Sequence, residues 1–90
     1  MILYHGTSIE KGEGIRATGL NIGSFLSDDP QIAYFYADEV ILEISIPATW
    51  YKAGRYRNHF LTLYQTPPSK IRKLTVGEVQ ALAREGITRG

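Results

Sequence analysis

Val40-Ile41-Leu42-Glu43-Ile44-Ser45-Ile46 is the stretch that decides the fold class of this chain. From Leu42 onward it alternates apolar, acidic, apolar, hydroxyl, apolar, the two-residue period of a strand with one buried face. Pro47, which has no amide proton for a ladder, stops it. Upstream, Ile2-Leu3-Tyr4-His5 reads as a short strand ended by Gly6, and Ser24-Phe25-Leu26 as a brief extended piece after a turn at 21–23. Downstream, His59-Phe60-Leu61-Thr62-Leu63-Tyr64 alternates again until Pro67-Pro68 breaks it. Lys70-Ile71-Arg72-Lys73-Leu74 then fits an edge strand whose charges face water.

Helices fall between these strands. Thr7 and Glu10 have the spacing of a capping box, so a helix is expected from about Ser8. Ile9, Ile15 and Ala17 should supply its buried side and Gly19 its end. Gly12 and Gly14, each costing about 1 kcal/mol relative to alanine, make it short or irregular. Ser27-Asp28-Asp29-Pro30 is a second helix start, with a capping side chain and proline in the first turn. Ile32, Phe35 and Tyr36 share one face of the helix that follows, which should run through Ala37. Thr75 and Glu78 form another capping box, with Val76, Val79, Leu82 and Ala83 at helical spacing behind it up to Gly86. The order of elements predicts a mixed α+β chain, a single small domain over residues 1–90.

Composition narrows the function classes. Ten Lys and Arg against nine Asp and Glu give a net charge of +1, so no global pull toward nucleic acid or acidic membranes is expected. The absence of cysteine excludes a disulfide scaffold and thiolate metal sites. No apolar run approaches the roughly 20 residues that span a bilayer, and the first residues lack the layout of a signal peptide. A cytoplasmic domain is the expectation. Six Tyr, three Phe and one Trp supply large buried areas to a short chain, and core packing is the first expectation for most of them.

Three islands carry chemistry. His5-Gly6-Thr7-Ser8 puts an imidazole and two hydroxyls where a strand meets a helix start, a junction rich in free backbone N–H groups. Ser24-Phe25-Leu26-Ser27-Asp28-Asp29-Pro30, followed by Ala33 and Tyr36, joins an aromatic strand to a capped helix. Asn58-His59-Phe60 heads the late strand. Each alone is equally an ordinary turn, capped helix or surface histidine.

In this order the islands resemble the ADP-ribosyltransferase superfamily, in the clade of diphtheria-type toxins and poly(ADP-ribose) polymerases with its His, Tyr, Glu triad. "LYHGTS" (residues 3–8) looks like that family's first motif and "GSFLSDDPQIAYFYA" (residues 23–37) like its second. "HFLTLYQTPPSKIRKL" (residues 59–74) is similar to its last strands. The resemblance spans residues 2–74 and implies split antiparallel sheets around an NAD cleft, with short helices and no metal. It implies that His5 bonds the adenosine ribose of NAD, that Gly6 holds the nicotinamide amide through its backbone, and that Thr7 adds a hydroxyl nearby. Tyr36 would stack on the nicotinamide ring with Phe25 opposite. Ala33 falls where relatives often carry a serine that bonds the amide, a loss of about 0.5–1.5 kcal/mol.

The third motif departs from the family. Where its glutamate is expected this chain has His59, with Asn58 beside it, and no acidic residue lies between Glu43 and Glu78. Gln65 is the nearest carboxamide alternative. A neutral imidazole or an amide oxygen can accept a hydrogen bond from a ribose hydroxyl, but neither supplies negative charge. Protonated His59 would oppose a developing cation, so activity should fall on acidification. Loss of the glutamate argues for mono-ADP-ribosylation rather than chain elongation. The acceptor stays open among protein, RNA and DNA. The loop Trp50-Tyr51-Lys52-Ala53-Gly54-Arg55-Tyr56-Arg57-Asn58 is the first place to look for its recognition. The alternatives are a catalytically inactive NAD- or ADP-ribose-binding module and a small RNA-binding protein. A stand-alone transferase of this size would suit a bacterial cytoplasm or a phage-infected host.

Overall fold

The alternating run becomes strand β3 (Val40–Ser45), and it is buried on both faces rather than one. Helices lie on either side of it, so Val40, Ile41, Leu42 and Ile44 are all buried, which the one-sided alternation does not reveal. The computed structural model describes residues 1–36 and 39–89, without the side chains of Tyr36 and of residues 86–89. Ala37, expected to extend the second helix, lies outside the described residues. Around β3 stand β1 (Ile2–Thr7), β2 (Phe25–Ser27), β4 (Tyr51–Ala53), β5 (His59–Thr62) and β6 (Ile71–Lys73). The helices are α1 (Ile9–Thr18), α2 (Pro30–Tyr36) and α3 (Val76–Arg89). Among the described residues the strands make one antiparallel six-stranded sheet, ordered β4-β5-β2-β1-β3-β6, in a small single α+β domain.

Register separates two cores. Leu3, Leu42 and Ile44 face Leu20, Leu26 and Ile46, with Ile15 of α1 packed against them. On the opposite face Ile41 meets Ala33 of α2, Leu74 and Leu82 of α3, with Tyr4 and Val79 alongside. β6 is an edge strand, as its charges suggest, and Arg72 and Lys73 are exposed.

Where β1 meets β2 the sheet is thin. β1 pairs with β3 at every step from Ile2↔Ser45 to Thr7↔Val40, but with β2 only at Tyr4↔Ser27. The expected split into two sheets is thus one connected sheet with a one-pair seam. The reason is length: β2 has three residues, and the chain then turns at Asp28 into α2. His5 bridges the seam, its Nδ1–H donating to the Phe25 carbonyl at 2.7 Å.

Several local expectations shift. Thr7 does not cap α1, because β1 runs on through it to pair with Val40. The cap moves one residue, to Ser8, whose Oγ accepts the Lys11 N–H at 3.2 Å. Glu39 rather than Glu10 meets the Ile9 amide, at 3.3 Å. α1 is a regular helix despite its glycines: a Cβ on Gly12 would sit 2.8 Å from Val40 Cγ2, so glycine is what lets helix and strand touch. Ile9 and Ala17 are exposed, and the helix buries Gly12 and packs Ile15 instead. Phe35 of α2 and Val76 of α3 also face outward. The Thr75–Glu78 box forms as expected, with reciprocal bonds of 2.9 and 3.2 Å, and α3 continues past Gly86.

Candidate functional site

A cleft of about 400 Å³ opens beside the seam. Tyr4, His5 and Gly6 of β1 and Phe25, Leu26 and Ser27 of β2 form its floor and one wall. Ile32 and Ala33 of α2 close one side, and Tyr56 and His59 from the β4–β5 hairpin close the other. Its volume lies in the range of small-molecule sites, about 300–1,000 Å³, and its lining mixes apolar groups with a few polar ones in the usual way.

Local structure explains how each group arrives. Asp29 caps α2 through its Oδ1, which accepts the Gln31 N–H at 2.9 Å, and Ser27 Oγ bonds both the amide and the carbonyl of Asp29 at 3.1 Å. That cap aims the first turn of α2, with Ile32 and Ala33, over the seam. On the other side Asn58 is the one described non-glycine residue with positive φ, at 64°. Asparagine tolerates this left-handed conformation, and here it closes the hairpin in which Gly54 N bonds His59 O at 2.7 Å. His59 then starts β5 opposite Ser27. The register Tyr4↔Ser27↔His59 places His59 two strand spacings, roughly 10 Å, across the sheet from Tyr4.

Hydrogen bonds set the tautomers of both imidazoles. A carbonyl can only accept, so His5 Nδ1 carries the proton toward Phe25 O, and His59 Nδ1 does so toward Arg57 O at 3.0 Å. In each neutral ring the lone pair is therefore on Nε2. Tyr56 stands edge-on to the His59 ring, 5.8 Å between centroids, and Arg55 lies 5.8 Å from the Tyr56 centroid. Burial first, then the Glu43 carboxylate, raises the Tyr4 phenol above its ordinary value, so it remains a hydrogen-bond donor at neutral pH.

Of the residues singled out in the sequence, His5, Gly6, Phe25, Ala33 and His59 come together in this cleft. Thr7 does not join them: it is buried, with its methyl toward Gly12. Asn58 shapes the turn rather than lining the cleft. Gln65 is elsewhere, donating to the Thr18 carbonyl at the end of α1 at 3.1 Å. Tyr36 ends α2, and its side chain lies outside the described part of the structure. No carboxylate lines the described cleft. Glu43, in the same cross-strand row beyond Tyr4, is held with Glu78 by Arg72 at 2.8–3.3 Å. Sequence reasoning missed Tyr4, Ile32 and Tyr56 as individual lining residues. Tyr4 adjoins His5 and could have been suspected; the placement of Tyr56 depends on how the hairpin folds.

Among the described residues no group of three or more His, Asp or Glu side chains could hold a metal ion, and no helix is long and apolar enough to cross a membrane. No protein-family model, curated protein or solved structure matches the chain.

Proposed function

We propose that the chain is a mono-ADP-ribosyltransferase that uses NAD, with the cleft at the β1–β2 seam as its active site. The observation that carries this reading is the convergence in one cleft of His5, Gly6, Phe25, Ala33 and His59, which are up to 54 positions apart in the chain. They come from three separate motifs, all of which resemble that superfamily.

The tautomer of His5 fits the role. With Nδ1–H committed to the Phe25 carbonyl, Nε2 accepts from a ribose hydroxyl. Phe25, 61% exposed, offers a ring face to the nicotinamide, and Ala33 leaves room beside it without a hydroxyl. Transfer breaks the C1′–N bond to nicotinamide, whose ring nitrogen keeps the electron pair, and joins C1′ to an acceptor that loses a proton. Positive charge develops on the ribose as the bond opens. His59 Nε2, the basic nitrogen of its neutral ring, accepts a hydrogen bond from a ribose hydroxyl or takes the acceptor's proton. A cytoplasmic setting, where NAD is at hand and cysteine chemistry is not needed, suits this reading.

The test is nicotinamide release from labelled NAD, with transfer to protein, RNA or DNA followed by mass spectrometry. His5→Ala and His59→Ala should each lower release by about 10²-fold or more, the usual range for a positioned acid–base or polar group. Release at an unchanged rate in His5→Ala would sink the assignment. The absence of a carboxylate among the described residues of the cleft favours one second reading, an inactive NAD-binding module. That reading requires NAD to raise the melting temperature with no nicotinamide released.

A further inference from the structure

Trp50, Tyr51 and Tyr56 fall within a span of seven residues in the segment that carries the β4–β5 hairpin, and the fold uses them differently. Trp50 and Tyr51 turn inward onto the core, Tyr51 edge-on to Phe60 at 5.2 Å. Tyr56 does not: it is 63% exposed and lines the cleft, edge-on to His59. Core packing explains the first two and leaves the third unexplained.

Charge is distributed unevenly around that ring. The chain is nearly neutral overall, yet Lys52, Arg55 and Arg57 lie in a stretch with no acidic residue from 44 to 77. All three are exposed, and among the described residues none has a carboxylate partner. Arg72, by contrast, is fully engaged by Glu43 and Glu78 at the opposite edge of the sheet. An exposed ring flanked by cations is the pattern that stacks a base and tracks a phosphate backbone. A duplex hides its base faces, and an acidic peptide would use the cations and leave the ring without a role.

We infer that the 51–59 hairpin binds single-stranded nucleic acid, with a base stacked on Tyr56 and phosphates on Lys52, Arg55 and Arg57. The inference deepens the transferase reading and rests on it in one respect: the bound strand is then the acceptor. A nucleophilic oxygen or nitrogen on the strand bonds C1′ of the ribose, nicotinamide leaves with the electron pair, and the strand's proton passes to His59.

Fluorescence anisotropy with a labelled 12-nucleotide single strand, in the absence of NAD, tests the binding. Tyr56→Ala should weaken it on the order of ten- to a hundred-fold and Tyr56→Phe should retain it, since stacking needs the ring and not the hydroxyl. Lys52→Glu with Arg55→Glu should flatten the salt dependence by about 1.4 in log K against log salt, about 0.7 for each phosphate that is no longer neutralised. Both residues are exposed, so urea denaturation of that double variant should match the wild type and show that the fold is intact. Equal binding by wild type, Tyr56→Ala and the Lys52→Glu with Arg55→Glu double variant, tighter binding of the matching duplex, or transfer of label to an acidic peptide in place of the strand would overturn the inference. Strand binding without nicotinamide release would support the hairpin's role while removing the transferase reading. Nicotinamide release without strand binding would do the reverse.

Discussion

The two halves of the sheet on either side of the β1–β2 seam are built differently. On one side β1 and β3 pair over six residues, both faces of β3 are buried, and Arg72 ties β6 and α3 to Glu43 through paired charge-assisted bonds. On the other, β2, β5 and β4 are three or four residues long, and large aromatic side chains at Phe25 and Tyr56 stand in solvent. Free energy gained by burial is concentrated in the first half; groups able to meet a ligand are concentrated in the second. The seam lets a small domain keep both, because the cleft opens where the sheet has few ladder bonds to give up.

The comparison is most directly broken by truncation in the scaffold half. Leu42→Ala, at a fully buried position, should cost about 2–5 kcal/mol in urea denaturation. A cost near zero would mean that β3 is not the centre of stability. Gly12→Ala should cost about 1–3 kcal/mol, since the new Cβ overlaps Val40 Cγ2. Gly14, with open space around it, is the control, and Gly14→Ala should stabilise by up to about 1 kcal/mol. Thr66, bridged to Leu20 in the core away from the cleft, is 1% exposed and its Oγ1 has no partner among the described residues. Thr66→Val should therefore raise stability, by about 1 kcal/mol, measurable as an upward shift of the urea midpoint.

Smaller effects sharpen the contrast. Phe25→Ala, at an exposed position, should change stability by no more than about 0.5 kcal/mol while weakening NAD binding in a thermal-shift titration. The weakest is electrostatic. The Arg72 guanidinium and the Thr75 amide hold Glu78 down from its ordinary 4.5 to about 2. A carboxylate depressed on folding stabilises above its unfolded value and loses that contribution as pH falls from about 4.5 through about 2. Glu78→Gln should thus be less stable than the parent at pH 7 and converge with it below pH 2. The pair is solvent-exposed, so added salt should narrow the gap at pH 7.

How much of this was legible in the sequence varies by scale. Strand positions were clear wherever alternation or proline marked them, and the Thr75–Glu78 box formed as its spacing implied. The cap of α1 lies one residue beyond the expected place, because Thr7 is claimed by a partner 33 residues away. Ile9, Phe35 and Val76 face outward although helical spacing groups them with the core, since spacing identifies a face without saying what covers it. In the site, His5, Phe25 and His59 stood out through their local motifs. Tyr56 stood out only as part of the 50–58 loop and not as a cleft residue, because its position there depends on Asn58 and on the pairing of β4 with β5.

Local pattern was enough to set the α+β class, the order of the elements apart from β4, which forms inside the expected 50–58 loop, the acid-free stretch from 44 to 77 and the absence of an acid at the head of β5. These are properties of near neighbours: period, capping hydroxyls, proline and composition act within a few residues. The three-dimensional arrangement was needed to show that β3 is covered on both faces, that the sheet thins at Tyr4↔Ser27, and that His5 and His59 share one cleft while Gln65 does not. Those outcomes depend on register between strands tens of residues apart. A slip of one position turns every side chain of a strand to its other face, so near-neighbour pattern cannot specify them.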